Sequence, residues 1–281
     1  MNLDKIISLA LEEDSALNDI TSKNIISKDT VASAVLMAKH SGIICGIDVF
    51  KQVFLKLDKN FHFEIFKNDG QKVKNGDIIL KMKGPAYYLL CGERTALNFI
   101  QALSGIATTT NIFANIVKNT NTCIYDTRKT MPGLRHISKY AVRCGGGKNH
   151  RMSLADMVLI KDNHLKLITN LVKKVEEIRK KHKNILIQVE CETKKHVLDA
   201  LKAKVDLIML DNMKKEQVKK MIKLIRQNST QTYKPEIEIS GGVNLNTIKE
   251  YAKLGIDRIS IGMLTHSAPS LDISLKIKVP K

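Results

Sequence analysis

The sequence predicts an α/β protein in two parts: an antiparallel, β-rich stretch over residues 31–83, and from about residue 120 an α/β barrel or an open doubly wound sheet. Three observations carry this. The runs "VASAVLMA", "GIICGIDVF", "FHFEIF" and "DIILKMK" follow one another, with the turn signals "NDG" and "KNG" between the later ones, as linked strands require. Beyond residue 120 six short runs recur: "TCIYD", "DMVLI", "ILIQVE", "DLIML", "EIEIS" and "DRISI". They are rich in Ile, Leu and Val without strict alternation, which suits parallel strands buried on both faces. Helical patterns between them, such as Val218, Met221, Ile222 and Ile225, complete the rhythm of βα units.

Taken in chain order, the first element is a helix. Leu3, Ile6, Ile7, Ala10 and Leu11 mark one apolar face. The polar stretch "EEDSALNDITS" reads as a loop. After the β-rich stretch, "GERTALNFIQALSG" reads as a helix ending near Gly105, with Arg94 close to its start, where a cation opposes the helix macrodipole.

Composition narrows the function. A chain of 281 residues with 43% hydrophobic content supports one large domain or two modest ones. No apolar run reaches the roughly 20 residues that span a bilayer, and the first residues lack a signal-peptide layout, so a cytoplasmic protein is expected. Five cysteines without a CxxC pair give neither a disulfide framework nor a zinc ribbon; they read as buried free thiols. The formal charge of +18 raises a nucleic-acid hypothesis. Lysines spread along the chain, with no Trp and 5% aromatics, fit a solvated surface better than a base-stacking one. The arginines are more selective: of eight, Arg94, Arg128, Arg135, Arg143 and Arg151 fall within residues 94–151. A planar guanidinium fork pairs bidentately with carboxylate or phosphate.

The predicted strand ends are Asp126, Ile160, Glu190, Leu210, Ser240 and Ile261. Polar, glycine or charged residues follow each: "DTRKT", "KDNH", "ECE", "DNM", "GGV" and "GMLTHS". A single such residue is ordinarily charge returning to solvent. Six in succession favour a shared pocket at the C-terminal face of the strands. Arg128, Lys129, His150, Arg151 and Lys161 would surround anions there, while Glu190 and Asp211 would bind sugar hydroxyls or a hard cation such as Mg²⁺. A histidine like His150 is more often structural, but "RCGGGKNHR" sets three glycines and basic residues around it, as an anion-binding loop does. The glycines of "SGG" and "IGM" allow backbone N–H groups to approach a phosphate.

These same segments carry a resemblance. "ERTALNFIQALSGIAT", "DTRKTMPGLR", "KYAVRCGGGKNHR", "LIKDNH", "VECE", "LDNM", "ISGGVN" and "ISIGMLTHSAPSLDISL" resemble, in order, the motifs of quinolinate phosphoribosyltransferase, the carboxylating nicotinate-nucleotide pyrophosphorylase. "EEDSALNDITS" resembles the family's N-terminal motif, with Asn18 where the family usually has glycine. The resemblance implies an N-terminal α/β sandwich domain over residues 1–104, joined by the C-terminal segment 268–281, and an incomplete α/β (TIM-like) barrel over residues 105–267. It implies a homodimer with shared active sites, and leaves a hexamer open. The implied reaction joins quinolinate to 5-phosphoribosyl-1-pyrophosphate with Mg²⁺, giving nicotinate mononucleotide, pyrophosphate and CO₂ in de novo NAD synthesis.

Carried over residue by residue, Arg128, His150, Arg151 and Lys161 would bind the quinolinate carboxylates, with Arg94 supplied by the partner subunit. Lys129 would meet the pyrophosphate-bearing substrate. Glu190 and Asp211 would hold ribose hydroxyls and the metal, directly or not. Ser240, Gly241, Gly262 and His266 would take the 5′-phosphate. Lys129, Lys161, Glu190 and Asp211 form the implied catalytic set. Neither Glu190 nor Asp211 has an adjacent basic residue in sequence to form a simple salt bridge. Three other readings remain: a paralogue from molybdenum-transport operons acting on a related substrate, a Schiff-base aldolase using Lys161, and a basic nucleic-acid-binding protein.

Overall fold

A computed structural model describes residues 3–27 and 29–278. Its twelve strands are β1 (Val31–Ala38), β2 (Gly42–Ile43), β3 (His62–Ile65), β4 (Lys72–Val73), β5 (Ile78–Pro85), β6 (Cys123–Tyr125), β7 (Val158–Ile160), β8 (Ile187–Cys191), β9 (Leu207–Asp211), β10 (Glu236–Ser240), β11 (Arg258–Ser260) and β12 (Ile273–Lys278). Contacts divide the chain into two compact units. One comprises Met1–Ile112, Lys129–Gly146 and Met263–Lys281; the other comprises Phe113–Arg128 and Gly147–Gly262. No helix of the described residues is long and apolar enough to cross a membrane.

The first unit is built on an antiparallel sheet in the order β12-β1-β5-β3, with β2 and β4 paired separately. β1, at its centre, buries Ala34, Val35, Leu36 and Ala38, so it reads as a nearly continuous apolar run. The helix Leu3–Glu13 buries Ile6, Ile7 and Leu11, the face its periodicity predicts. The polar stretch after it is not an open loop. Ala16–Asn18 form a single tight turn and Ile20–Ile25 a short helix, whose N-cap Asp19 accepts the Thr21 N–H at 2.9 Å. The left-handed residue is Ser15, at φ 49°, not Asn18. Asparagine at position 18 therefore costs no backbone strain.

Two further elements depart from expectation. "GIICGIDVF" keeps only Gly42–Ile43 as strand, and Ile47–Leu57 is helical. Gly46, at φ 105°, turns the chain, and Asp69 accepts the N–H groups of Gly46 and Ile47 at 2.9 and 3.0 Å. These are donors that a helix start leaves without an internal partner. The helix expected to stop near Gly105 runs from Ala86 to Val117. At Gly105 an added Cβ would stand 2.2 Å from the Pro269 carbonyl oxygen. That glycine serves a close approach of two backbones, not a helix end. Arg94 consequently sits well inside the helix, where the macrodipole argument has no force.

The second unit is a six-stranded parallel sheet in the order β6-β11-β10-β9-β8-β7. From β7 to β11 each strand lies beside its predecessor, and β11 returns to β6. The winding never reverses, which distinguishes it from a doubly wound sheet with a switch point. β6 and β7 do not pair, so this α/β barrel is open at one seam. At that seam Lys148 bridges Tyr125 in parallel. Its N–H donates to the Ile124 carbonyl at 2.7 Å, and its carbonyl accepts the Asp126 N–H at 3.1 Å. All five residues of β8 are buried, as are the first four of β9, the burial on both faces that the unalternating runs anticipate.

Candidate active site

Register places the candidate residues of the second unit along one edge. Asp211 lies opposite Ser240, Leu210 opposite Cys191, Val189 opposite Ile160, and Ser260 opposite Tyr125. Because all six strands run parallel, Lys161, Glu190, Asp211, Ser240, Gly241 and Gly262 fall at or just beyond their C-terminal ends. Strand ends are the one part of such a sheet where polar side chains escape burial without losing a rigid support.

Glu190 is buried, and the Lys161 ammonium donates to its Oε2 at 2.8 Å. Sequence neighbours gave Glu190 no basic partner; its cation comes from the adjacent strand end. Asp211 Oδ2 accepts a hydrogen bond from Asn212 Nδ2 at 2.7 Å. One carboxylate oxygen each of Glu190, Glu192 and Asp211 lie within 4.8 Å of one another, a donor set suited to a hard divalent cation. Glu192 escaped the sequence reading. The signal was there in "ECE", since residues two apart in an extended segment share a face.

The basic side begins with Asp126. This carboxylate is fully buried; its Oδ1 accepts the His150 N–H at 2.8 Å and its Oδ2 the Asn149 Nδ2 at 2.5 Å. The aspartate of "YDTRKT" thus fastens the loop carrying His150 and Arg151 to the end of β6. The Arg151 N–H donates to His150 Nδ1 at 2.8 Å, which leaves the imidazole proton on Nε2, 3.0 Å from Gln188 Oε1 and 3.6 Å from Glu238 Oε1. Glu238 also accepts from Gln188 Nε2 at 2.8 Å and from the Ser260 hydroxyl. Burial opposes ionisation of Glu238, but the His150, Ser260 and Gln188 donors prevail and hold its pKa below the usual carboxylate range. Both ring nitrogens of His150 are therefore engaged in a buried network across the sheet interior.

Arg151 is partly buried and donates to the Met157 carbonyl at 3.3 Å. Burial lowers its pKa, and the neighbouring Arg128 guanidinium lowers it further, against the pull of Asp156. Arg128 Nε is itself buried and has no hydrogen-bond partner among the described residues. Two guanidinium groups close together, one with a donor unused, favour an anion between them.

After β10 the chain turns through Gly241 and Gly242, at φ 85° and 65°. A Cβ on Gly241 would meet Asn212 Oδ1 at 2.2 Å, so the two strand-end loops interlock there. Arg94, Lys129 and His266 belong to the first unit. The Lys129 side chain is exposed, and its carbonyl accepts the Thr265 hydroxyl at 2.7 Å. His266 is exposed, with Nδ1 at 2.5 Å from the Ser267 hydroxyl. Arg94 is exposed and makes no hydrogen bond or ion pair among the described residues.

Residues 19–104 match the family model described as quinolinate phosphoribosyl transferase, N-terminal domain, and residues 106–276 match that of its C-terminal domain. A probable carboxylating nicotinate-nucleotide pyrophosphorylase of Bacillus subtilis is 38% identical over 278 residues, 99% of this chain and 94% of the relative. Its counterpart in Methanocaldococcus jannaschii is 42% identical over 284 residues, 97% and 96% of the two chains. The solved nicotinate-nucleotide pyrophosphorylase from Francisella tularensis superimposes with a TM-score of 0.91 at 37% identity, covering 98% of this chain and 96% of that one.

Proposed function

The chain belongs to the quinolinate phosphoribosyltransferase family, and from that premise we propose that it joins quinolinate to 5-phosphoribosyl-1-pyrophosphate, yielding nicotinate mononucleotide, pyrophosphate and CO₂ in de novo NAD synthesis. The observation that carries the reading is the pair Arg128 and Arg151. Arg128 makes the Arg151 guanidinium a less favourable cation, and Arg128 Nε has a donor to give. A ring with two adjacent carboxylates answers both. Lys161, also bonded to Glu190, joins this basic side to the acidic one. His150 acts from behind, with its Nδ1 accepting the Arg151 N–H.

On the acidic side, loss of pyrophosphate develops positive charge at ribose C1, which Glu190 and Asp211 stabilise electrostatically. The quinolinate nitrogen supplies its lone pair to C1. Departure of the adjacent carboxylate as CO₂ leaves its bonding electron pair on ring C2, stabilised by the neighbouring cationic nitrogen. A proton taken up from solvent completes the C2–H bond of the product. No protein nucleophile is consumed. The Glu190, Glu192 and Asp211 oxygens fit Mg²⁺, which would neutralise the pyrophosphate leaving group when bound. Ser240, Gly241, Gly262 and His266 would take the 5′-phosphate and Lys129 the pyrophosphate; the two left-handed glycines after β10 support this by baring backbone N–H groups.

A homodimer with Arg94 acting across to the partner's site is part of the proposal, supported by an exposed guanidinium without an ion pair among the described residues. Mixing inactive Arg94→Ala subunits with inactive Lys161→Ala subunits tests it. Mixed dimers with a shared site contain one intact site and regain activity; a mixture that stays inactive removes the shared site. Action in the cytoplasm is supported by five unpaired cysteines, which suit a reducing compartment. The reaction itself is tested by release of labelled CO₂ from carboxyl-labelled quinolinate. Release that requires phosphoribosyl pyrophosphate is expected, and its absence would overturn the reading.

A further inference from the structure

The first unit holds a side-chain cluster that this reaction does not use. Cys45 is fully buried just before the helix Ile47–Leu57, and Cys144, half-buried, is the last residue of the helix Arg135–Cys144. Their Sγ atoms and one Asp69 carboxylate oxygen lie within 4.8 Å of one another. Such a trio is a formal metal-ligand set, but Asp69 is committed. Its Oδ1 accepts the Gly46 and Ile47 N–H groups, and its Oδ2 accepts the Tyr140 hydroxyl at 2.9 Å. With both oxygens engaged, the two sulfurs are the groups left to react.

They are also unequal. The Cys45 thiol beside the Cys144 sulfur brings the Cys144 pKa down to about 7 against the effect of burial. The same contact and deep burial push Cys45 up. The other groups facing the pair are Asp69, which disfavours the thiolate, Tyr140, and Arg143, which favours it. One sulfur belongs to a half-buried residue and is a thiolate near neutral pH; the other is a fully buried thiol beside it. That division of labour is what attack and resolution require.

We propose that Cys45 and Cys144 are a redox-active pair that closes a reversible disulfide in response to a peroxide. The Cys144 thiolate attacks the peroxide, breaking the O–O bond; Cys144 becomes a sulfenic acid and the second oxygen leaves as hydroxide, or as an alkoxide from an organic peroxide. The Cys45 sulfur then attacks the sulfenic sulfur, forming the S–S bond. The departing hydroxyl takes the Cys45 proton and leaves as water. Overall two thiols are oxidised and one peroxide is reduced. Closing to the bond length of about 2.05 Å requires the Cys144 side chain to turn at the end of its helix, where Gly145, Gly146 and Gly147 follow.

The test treats reduced full-length protein with a small excess of hydrogen peroxide near neutral pH, alkylates the remaining thiols, and maps peptides by mass spectrometry. Two of the five thiols should escape alkylation in the wild type, in a linked peptide pair carrying Cys45 and Cys144 that dithiothreitol separates. In Cys45→Ala the reaction should stop at a Cys144 sulfenic acid that dimedone traps. In Cys144→Ser the Cys45 thiol should remain unoxidised. Five alkylated thiols in the wild type, Cys144 over-oxidised while Cys45 stays free, or a bridge to a different cysteine would each overturn the proposal. The wild-type map decides even if a variant folds poorly.

Discussion

Replacing Arg128 by methionine should strengthen the fold while weakening the ligand. Methionine keeps the unbranched length of the side chain and removes both the charge and the Nε donor. In the wild type that donor is buried without a partner among the described residues, and the neighbouring Arg151 guanidinium is already shifted by burial and by Arg128 itself. A buried unsatisfied N–H costs about 1–3 kcal/mol. Since Arg128 is only partly buried as a residue, the lower end applies, and Arg128→Met should gain about 1 kcal/mol, a rise of about 2–4 °C in Tm. Against this stands the loss of the proposed charge-assisted contact with a substrate carboxylate, about 1.5–3 kcal/mol. At about 1.4 kcal/mol per tenfold, quinolinate should bind roughly 10- to 150-fold more weakly. Calorimetric unfolding gives the first quantity and isothermal titration the second. A variant that is less stable than wild type and binds quinolinate equally well would refute the reasoning at both points.

Other expectations follow from the same geometry. Glu190→Gln breaks an ion pair whose lysine is half exposed, so folding should change by about 0–1 kcal/mol, while turnover falls by orders of magnitude; near-normal turnover would remove Glu190 from the chemistry. Gly241→Ala should destabilise by about 1–3 kcal/mol, because φ is 85° and the new Cβ meets Asn212 Oδ1. Adding Asn212→Ala should recover the steric part, and an unchanged Tm for Gly241→Ala would contradict the interlock. Glu238 has a folded-state pKa below its unfolded value, so its ionised form contributes stability in full above the unfolded pKa of about 4.3. That contribution fades as pH falls through the lower folded value. Glu238→Gln should therefore be less stable than wild type at neutral pH, with the gap shrinking in acid. Urea unfolding across pH would expose the error if the gap stayed constant.

Much of this was legible in the residues because the parallel strands are short, apolar and bounded by polar ends. Each predicted strand end lies within one residue of the observed one, and the ends alone assembled Lys161, Glu190, Asp211, Ser240 and Gly262. What stayed hidden depended on partners distant in sequence. "GIICGIDVF" becomes helical after Gly46 because Asp69 supplies the cap from another segment. Gly105 looks like a stop until Pro269 is seen against it. Asp126 looks like a pocket residue, yet it holds the His150 and Arg151 loop, more than twenty positions away. Lys161 and Glu190 are 29 positions apart, a distance no local pattern encodes. His150 carries the right chemistry for an anion site, but only the fold shows both its nitrogens engaged.

The open seam of the barrel has a consequence for self-association. A sheet with two ends presents two rows of backbone groups to which another chain could add a strand, the usual route to aggregation. Here the end strands β6 and β7 have three residues each, whereas β8, β9 and β10 have five. The short β6 is further occupied by Lys148, a cationic residue already taking its Ile124 carbonyl. A foreign strand arriving at the seam would find too few free groups to hold its register and a lysine in the way, so the gap left open in the barrel is a poor template for fibrils.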